Sequence, residues 1–245
     1  MKWIKILFSN LWKLYVGLAF CLTAIVLYPF FYMVLQLKNG KHKSFQLFVL
    51  WSRIFQVLCF YRTARKGKVE LDLSEPTILI ANHTSYLDIF LMFAHFPKHP
   101  FLFLGKAELL SYPILRTYFK NLNIPVDRSS KEKSAQAFYA AKHSLEDGFS
   151  VIIFPEGGIP NWSPPKMANF KSGPFRLSKL TGCPILPLAF LNHYQLLPDP
   201  VEWKMWAGPG VSKIQLFDKV VVEDNLTEVR ENCFKQINDA LIKHG

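Results

Sequence analysis

Thr77-Ile78-Leu79-Ile80-Ala81, followed directly by Asn82-His83-Thr84-Ser85-Tyr86-Leu87-Asp88, is a short apolar run that ends in polar, capping-type residues. Four to five buried-type residues closed by turn signals read as a strand covered on both faces, and the residues after it as a loop entering a helix. The same alternation continues outward. Phe101–Leu104, Leu122–Val126, Ser150–Phe154, Pro184–Phe190 and Lys213–Phe217 read as further strands, with helical patterns at Tyr86–Phe96, Ala107–Phe119, Glu132–Asp147 and Leu226–Ile242. For the third of these helices, Ser129 with Glu132 forms a capping box and Gly148 stands at the stop. Strands alternating with helices predict an α/β fold: a largely parallel or mixed sheet flanked by helices, with chemistry in loops beyond the carboxyl ends of the strands.

Ahead of this lies a different kind of chain. Leu14 to Leu37 are 24 consecutive positions without a formal charge. As a helix they reach roughly 36 Å against a hydrocarbon core of roughly 30 Å. A signal peptide also begins with lysines such as Lys2, Lys5 and Lys13, but no small-x-small cleavage site follows; the chain runs on into Lys38, Asn39, Gly40, Lys41, His42 and Lys43. Phe45–Tyr61 has apolar and aromatic residues at helical spacing, suited to a membrane interface. Two helices joined around Asn39–Gly40 make a hairpin that enters and leaves one leaflet, with lysines at both ends; a true span by the first helix is the competing expectation. The expected division is therefore 1–60, membrane-anchoring helices, and 61–245, a catalytic domain.

The 245 residues carry a net charge of +11 and are 50% hydrophobic and 15% aromatic, which excludes a disordered, collagenous or disulfide-stapled chain. Such a basic surface suits lipid head groups, nucleic acid or phosphorylated cofactors. No nucleic-acid motif occurs, and the seven histidines show no metal-ligand spacing, so neither nucleic acid nor metal is expected as a partner. Cys21, Cys59, Cys183 and Cys233 are widely spaced and read as buried small hydrophobes. Three glycosylation sequons, at Asn82, Asn161 and Asn225, read as coincidence.

His83 and Asp88 hold the most chemistry. On one continuous helix they would stand about 140° apart, so they meet only if His83 lies in the loop and Asp88 in the first helical turn. There a carboxylate orients the imidazole and stabilises its charged form. Ser85-x-x-Asp88 is also a capping pattern, which gives Asp88 a purely structural reading.

In order along the chain come Asn82–Asp88, Gly105-Lys106, Val126-Asp127-Arg128, Phe154-Pro155-Glu156-Gly157 and Pro184-Ile185-Leu186-Pro187. This series resembles the glycerolipid acyltransferase family, the group that includes 1-acylglycerol-3-phosphate acyltransferase, over roughly residues 77–190. The resemblance implies acyl transfer from acyl-CoA or acyl-carrier protein to a lysolipid hydroxyl, on the cytoplasmic face of a membrane and without a cofactor. His83 and Asp88 are then catalytic, and Lys106, Arg128, Glu156, Gly157 and Lys171 bind substrate. One departure stands out. Where family members commonly carry Thr-Arg after the Phe-Pro-Glu-Gly block, with the Arg associated with phosphate, this chain has Gly158-Ile159. Another lysolipid acceptor, or a catalytically silent membrane-binding module, are the competing expectations.

Overall fold

The computed structural model describes residues 2–67, 75–112, 116–118, 123–127, 129–160, 164–198 and 203–244. Seven strands form one sheet: β1 (Tyr61–Lys66), β2 (Ile78–Ala81), β3 (Phe101–Lys106), β4 (Ile124–Val126), β5 (Ser150–Ile153), β6 (Ile185–Phe190) and β7 (Gly210–Leu216). Their spatial order is β1-β7-β6-β2-β5-β3-β4, and every neighbouring pair is parallel except β6 with β7. The sheet is thus mixed, and β2 lies at its centre.

Alternation along the strands builds two cores. Leu79, Ala81, Phe101, Phe103 and Ile152 face one side, with α1 (Lys2–Leu35), α2 (Gly40–Leu58), α3 (Leu87–Phe90) and α4 (Met92–His95). Ile78, Ile80, Leu102, Val151 and Ile153 face the other, under α5 (Lys131–Glu146), α6 (Gly173–Thr181) and α8 (Leu226–His244). A single turn, α7 (His193–Leu196), follows β6.

The first two helices do form a hairpin. Residue 36–39 turns connect them, and a β-carbon on Gly40 would come within 2.8 Å of the Val34 carbonyl, so only glycine permits the close return. The helices run antiparallel: Tyr15 Oη donates to the Leu58 carbonyl, Trp51 Nε1 donates to Thr23 Oγ1, and Phe31 packs on Phe48. Pro29 lies within a continuous α1. Trp51 is 1% exposed and Phe31 fully buried, so the hairpin and the sheet share one core. The outer side of α1 differs sharply, with Leu18, Leu22, Ile25, Val26 and Phe30 each at least half exposed. Among the described residues α1 is the one helix long and apolar enough to cross a membrane.

Several boundaries differ from expectation. β1 had no apolar signature, because five of its six side chains are exposed and only Tyr61 is buried. Tyr86–Phe96 breaks into two single turns, and Ala107–Phe119 opens as a 3₁₀ turn at Ala107–Ser111. The cap of α5 is Ser130, whose side chain accepts from Lys133 N; Ser129 instead donates its N–H to Asp127. Cys21 is exposed and Cys183 half-buried, leaving only Cys59 and Cys233 buried as expected.

Candidate active site

The central strand delivers the site. One residue past β2, the Asn82 side chain donates to the Phe190 carbonyl (3.2 Å) and accepts from Phe190 N (2.8 Å), locking the loop onto β6. Asn82 is fully buried, so its sequon has no exposed side chain to modify. His83 follows in the loop, and Asp88 stands in the first turn of α3. The two side chains meet, with Nδ1 of His83 2.9 Å from Oδ2 of Asp88.

Asp88 is fully buried and its carboxylate accepts four hydrogen bonds. Oδ2 accepts from His83 Nδ1, Thr84 N (2.7 Å) and Ser85 N (2.9 Å); Oδ1 accepts from His193 Nδ1 (2.7 Å). Four donors therefore converge on one carboxylate, three on Oδ2 and one on Oδ1. Burial pushes the Asp88 carboxyl up, but the hydrogen bonds from His193 and His83 outweigh it, and the group lies below the ordinary value. Asp88 is therefore an acceptor only, and His83 Nδ1 carries the shared proton. The capping reading of Asp88 holds as well: Ser85 Oγ accepts from Leu87 N while Asp88 answers Ser85 N. One carboxylate orients the imidazole and closes the helix entry.

With Nδ1 committed, Nε2 of His83 has no hydrogen-bond partner among the described residues, and the side chain is 11% exposed. The ring lies flat on Phe154, centroids 4.0 Å apart at 13°. Phe154 begins the Phe154-Pro155-Glu156-Gly157 turn at the end of β5, beside β2 in the sheet. Glu156 also serves the loop, accepting from His83 N (2.8 Å) through Oε1 and from Ala168 N (2.7 Å) through Oε2. Burial pushes its carboxyl up to about 7; these two hydrogen bonds pull it down, and the neighbouring Asp88 charge adds to the rise.

The remaining sequence candidates divide. Gly157 takes φ 91°, a left-handed conformation that favours glycine. Lys106 is exposed at the end of β3, and its Cε lies 3.8 Å from where a β-carbon on Gly158 would stand, so the ammonium stem lies over the turn. Lys171 contributes through its backbone N–H to the Pro155 carbonyl (2.9 Å), with its side chain exposed. Arg128 falls outside the described residues, as does Asn161. His193, which supplies a quarter of Asp88's hydrogen bonds, carried no sequence signal beyond Asn192-His193 following one strand as Asn82-His83 follows another.

Next to this cluster is an apolar cavity of about 440 Å³. Its walls include Phe20 of α1, Trp51 of α2, Tyr86, Leu87 and Phe103. That volume lies within the usual range for small-molecule sites. Phe103 stacks on Phe154 (6.1 Å, 15°), which connects the cavity wall to the imidazole through one ring.

Comparison with known proteins bears on the family and the fold. A family model described as Acyltransferase matches residues 62–191. A Chlamydomonas reinhardtii protein named 1-acyl-sn-glycerol-3-phosphate acyltransferase is 28% identical over 61% of this chain and 44% of its own length. A chloroplastic protein of that name from Brassica napus is 25% identical over 76% of this chain and 56% of its own. A Drosophila melanogaster protein named lysophosphatidylcholine acyltransferase is 28% identical over 63% of this chain and 28% of its own. The chain thus spans about half the length of the first two relatives. The crystal structure of PlsC, the 1-acyl-sn-glycerophosphate acyltransferase of Thermotoga maritima, superposes with a TM-score of 0.79 at 20% identity, covering 99% of this chain and 97% of that one. The two share a fold.

Proposed function

The chain belongs to the acyltransferase family, and from that premise we propose that it moves a fatty acyl group from an acyl thioester to the free hydroxyl of a lysolipid, 1-acylglycerol-3-phosphate giving phosphatidate. The observation that carries this reading is the His83 imidazole, pinned at Nδ1 by a buried, ionised Asp88 and unbonded at Nε2, beside an apolar cavity. His83 Nε2 takes the hydroxyl proton as the oxygen attacks the thioester carbonyl. The C–O bond forms, the C–S bond breaks, and the proton passes to the leaving thiolate. Asp88 stabilises the imidazolium in between. General-base help of this kind contributes about 10²–10⁴-fold. The donor is acyl-CoA or acyl-carrier protein, both thioesters, and the acyl chain occupies the cavity between α1, α2 and α3.

Lys106, over the Gly157-Gly158 turn, is a cation available to an acceptor phosphate. Gly158 and Ile159 favour a second acceptor class, a lysophospholipid or lyso-aminolipid without a monoester phosphate, and relatives named for lysophosphatidylcholine point the same way. The exposed apolar side of α1 and the excess of lysine and arginine support a hairpin seated in the cytoplasmic leaflet. Pairing several lysolipids with both thioester donors identifies the substrates. His83→Ala is expected to abolish turnover and leave vesicle binding intact; near-normal turnover overturns the mechanism.

A further inference from the structure

Asp88 serves two histidines, and only one of them, His83, has any exposed side-chain surface. His193, fully buried in the turn after β6, donates Nδ1–H to Asp88 Oδ1 (2.7 Å). Its Nε2 meets Ser212 Oγ of β7 (2.5 Å), and Ser212 Oγ in turn meets His95 Nε2 at the end of α4 (2.7 Å). His95 Nδ1 is buried without a partner among the described residues. Proton positions along this chain follow from its two ends. Asp88 only accepts. Burial, with the nearby His193 and Arg65, holds His95 well below the usual imidazole value and so neutral. If Ser212 gave its proton to His95, the ring N–H would be left on Nδ1, an orphaned buried donor, a far rarer state than an orphaned lone pair. His95 Nε2–H therefore donates to Ser212, and Ser212 donates to His193 Nε2. That fixes the His193 proton on Nδ1, aimed at Asp88.

The backbone supports this. Asn82-His83 and Asn192-His193 leave the adjacent strands β2 and β6, and each asparagine ties its loop to the next strand across the sheet. Asn192 accepts from Lys213 N and donates to the Val211 carbonyl, both in β7. The two imidazoles are thereby presented to one carboxylate from neighbouring strand ends.

We propose that His193 is the positioning residue of this site: with Ser212 and His95 behind it, its Nδ1–H occupies one oxygen of Asp88 and turns the other onto His83. The kinetic part rests on the acyl-transfer reading above. Among the described residues, Glu156 from the 154–158 turn and Arg65 from β1 are the other charged groups that act on this cluster.

Two substitutions separate positioning from mere packing. His193→Asn places an amide N–H where Nδ1 stands and abandons Ser212; His193→Gln reaches Ser212 and abandons Asp88. The expected result is near-wild-type kcat for H193N, and for H193Q a kcat lowered about 10- to 100-fold with KM little changed. Imidazole ¹⁵N spectra of the full chain in detergent supply a readout independent of turnover: His83 is expected as the Nδ1–H tautomer in wild type and H193N, and as a tautomer mixture in H193Q. H193Q equal to or better than H193N in kcat overturns the proposal, as does an unchanged His83 tautomer in H193Q. Should the wild-type protein itself transfer no acyl group from either donor, the functional reading fails, and the spectra still decide the positioning role.

Discussion

Asp88→Asn isolates the charge of the carboxylate from its hydrogen bonds. With its amide oxygen at the Oδ2 position, asparagine still accepts from Thr84 N, Ser85 N and His83 Nδ1, so the loop and the His83 tautomer survive. Its NH₂ then confronts His193 Nδ1; moving the His193 proton to Nε2 turns Ser212 toward His95 and strands an N–H on buried His95 Nδ1, so a cost in stability accompanies the loss of charge. What is lost is the attraction between a carboxylate and the imidazolium that forms as the hydroxyl is deprotonated. For charge centres about 4 Å apart at an effective dielectric of about 20, that attraction is about 4 kcal/mol, equivalent to about 10³-fold in rate. The assay is kcat/KM by thiol release, with an acyl thioester and a lysolipid in mixed micelles and thermal melts alongside. Asp88→Ala, which also strands two backbone N–H groups, is expected to melt lower than Asp88→Asn at a comparable rate loss. An Asp88→Asn protein within ten-fold of wild type would refute charge stabilisation of His83.

Three further perturbations test the supports. The Glu156 carboxyl, pushed up to about 7 from the usual 4.5, binds its proton more tightly folded than unfolded. Its favourable contribution is therefore complete below about pH 4.5 and is lost as pH rises through 7, at most about 3 kcal/mol. The wild-type melting temperature should fall more steeply than that of Glu156→Gln across this window, and equal slopes would contradict the burial argument. Lys13, 7% exposed, donates from Nζ to the carbonyls of Met205 (2.7 Å) and Trp203 (3.2 Å); Lys13→Met should cost about 2–3 kcal/mol and speed proteolysis near residues 203–207. Leu22→Asp with Ile25→Asp, on the exposed side of α1, should leave the melt unchanged and abolish co-sedimentation with anionic vesicles; undiminished binding would place the contact elsewhere.

The central strands and the site loop were readable because burial on both faces leaves an apolar run, and the loop after β2 had to bring His83 and Asp88 together in only one way. β1 was unreadable for the opposite reason: it is an edge strand of Arg62, Thr63, Ala64, Arg65 and Lys66 whose pairing with β7 is purely backbone. Ser129 and Ser130 stand side by side, and the choice of cap depends on Asp127 engaging Ser129 N. His193 lies 105 residues from Asp88, and its contact exists only because β6 lies beside β2. Local spacing cannot reveal a partner that the strand order supplies.

Because Phe31, Phe48 and Trp51 of the hairpin are as deeply embedded as the strands beneath them, the first sixty residues are no detachable tether. Trimming the chain at Tyr61 to gain a water-soluble fragment would strip two of the four helices from one side of the sheet and open the apolar cavity to solvent. Solubilisation has to proceed by recolouring the outward row of α1, residue by residue, while its inward row is left untouched.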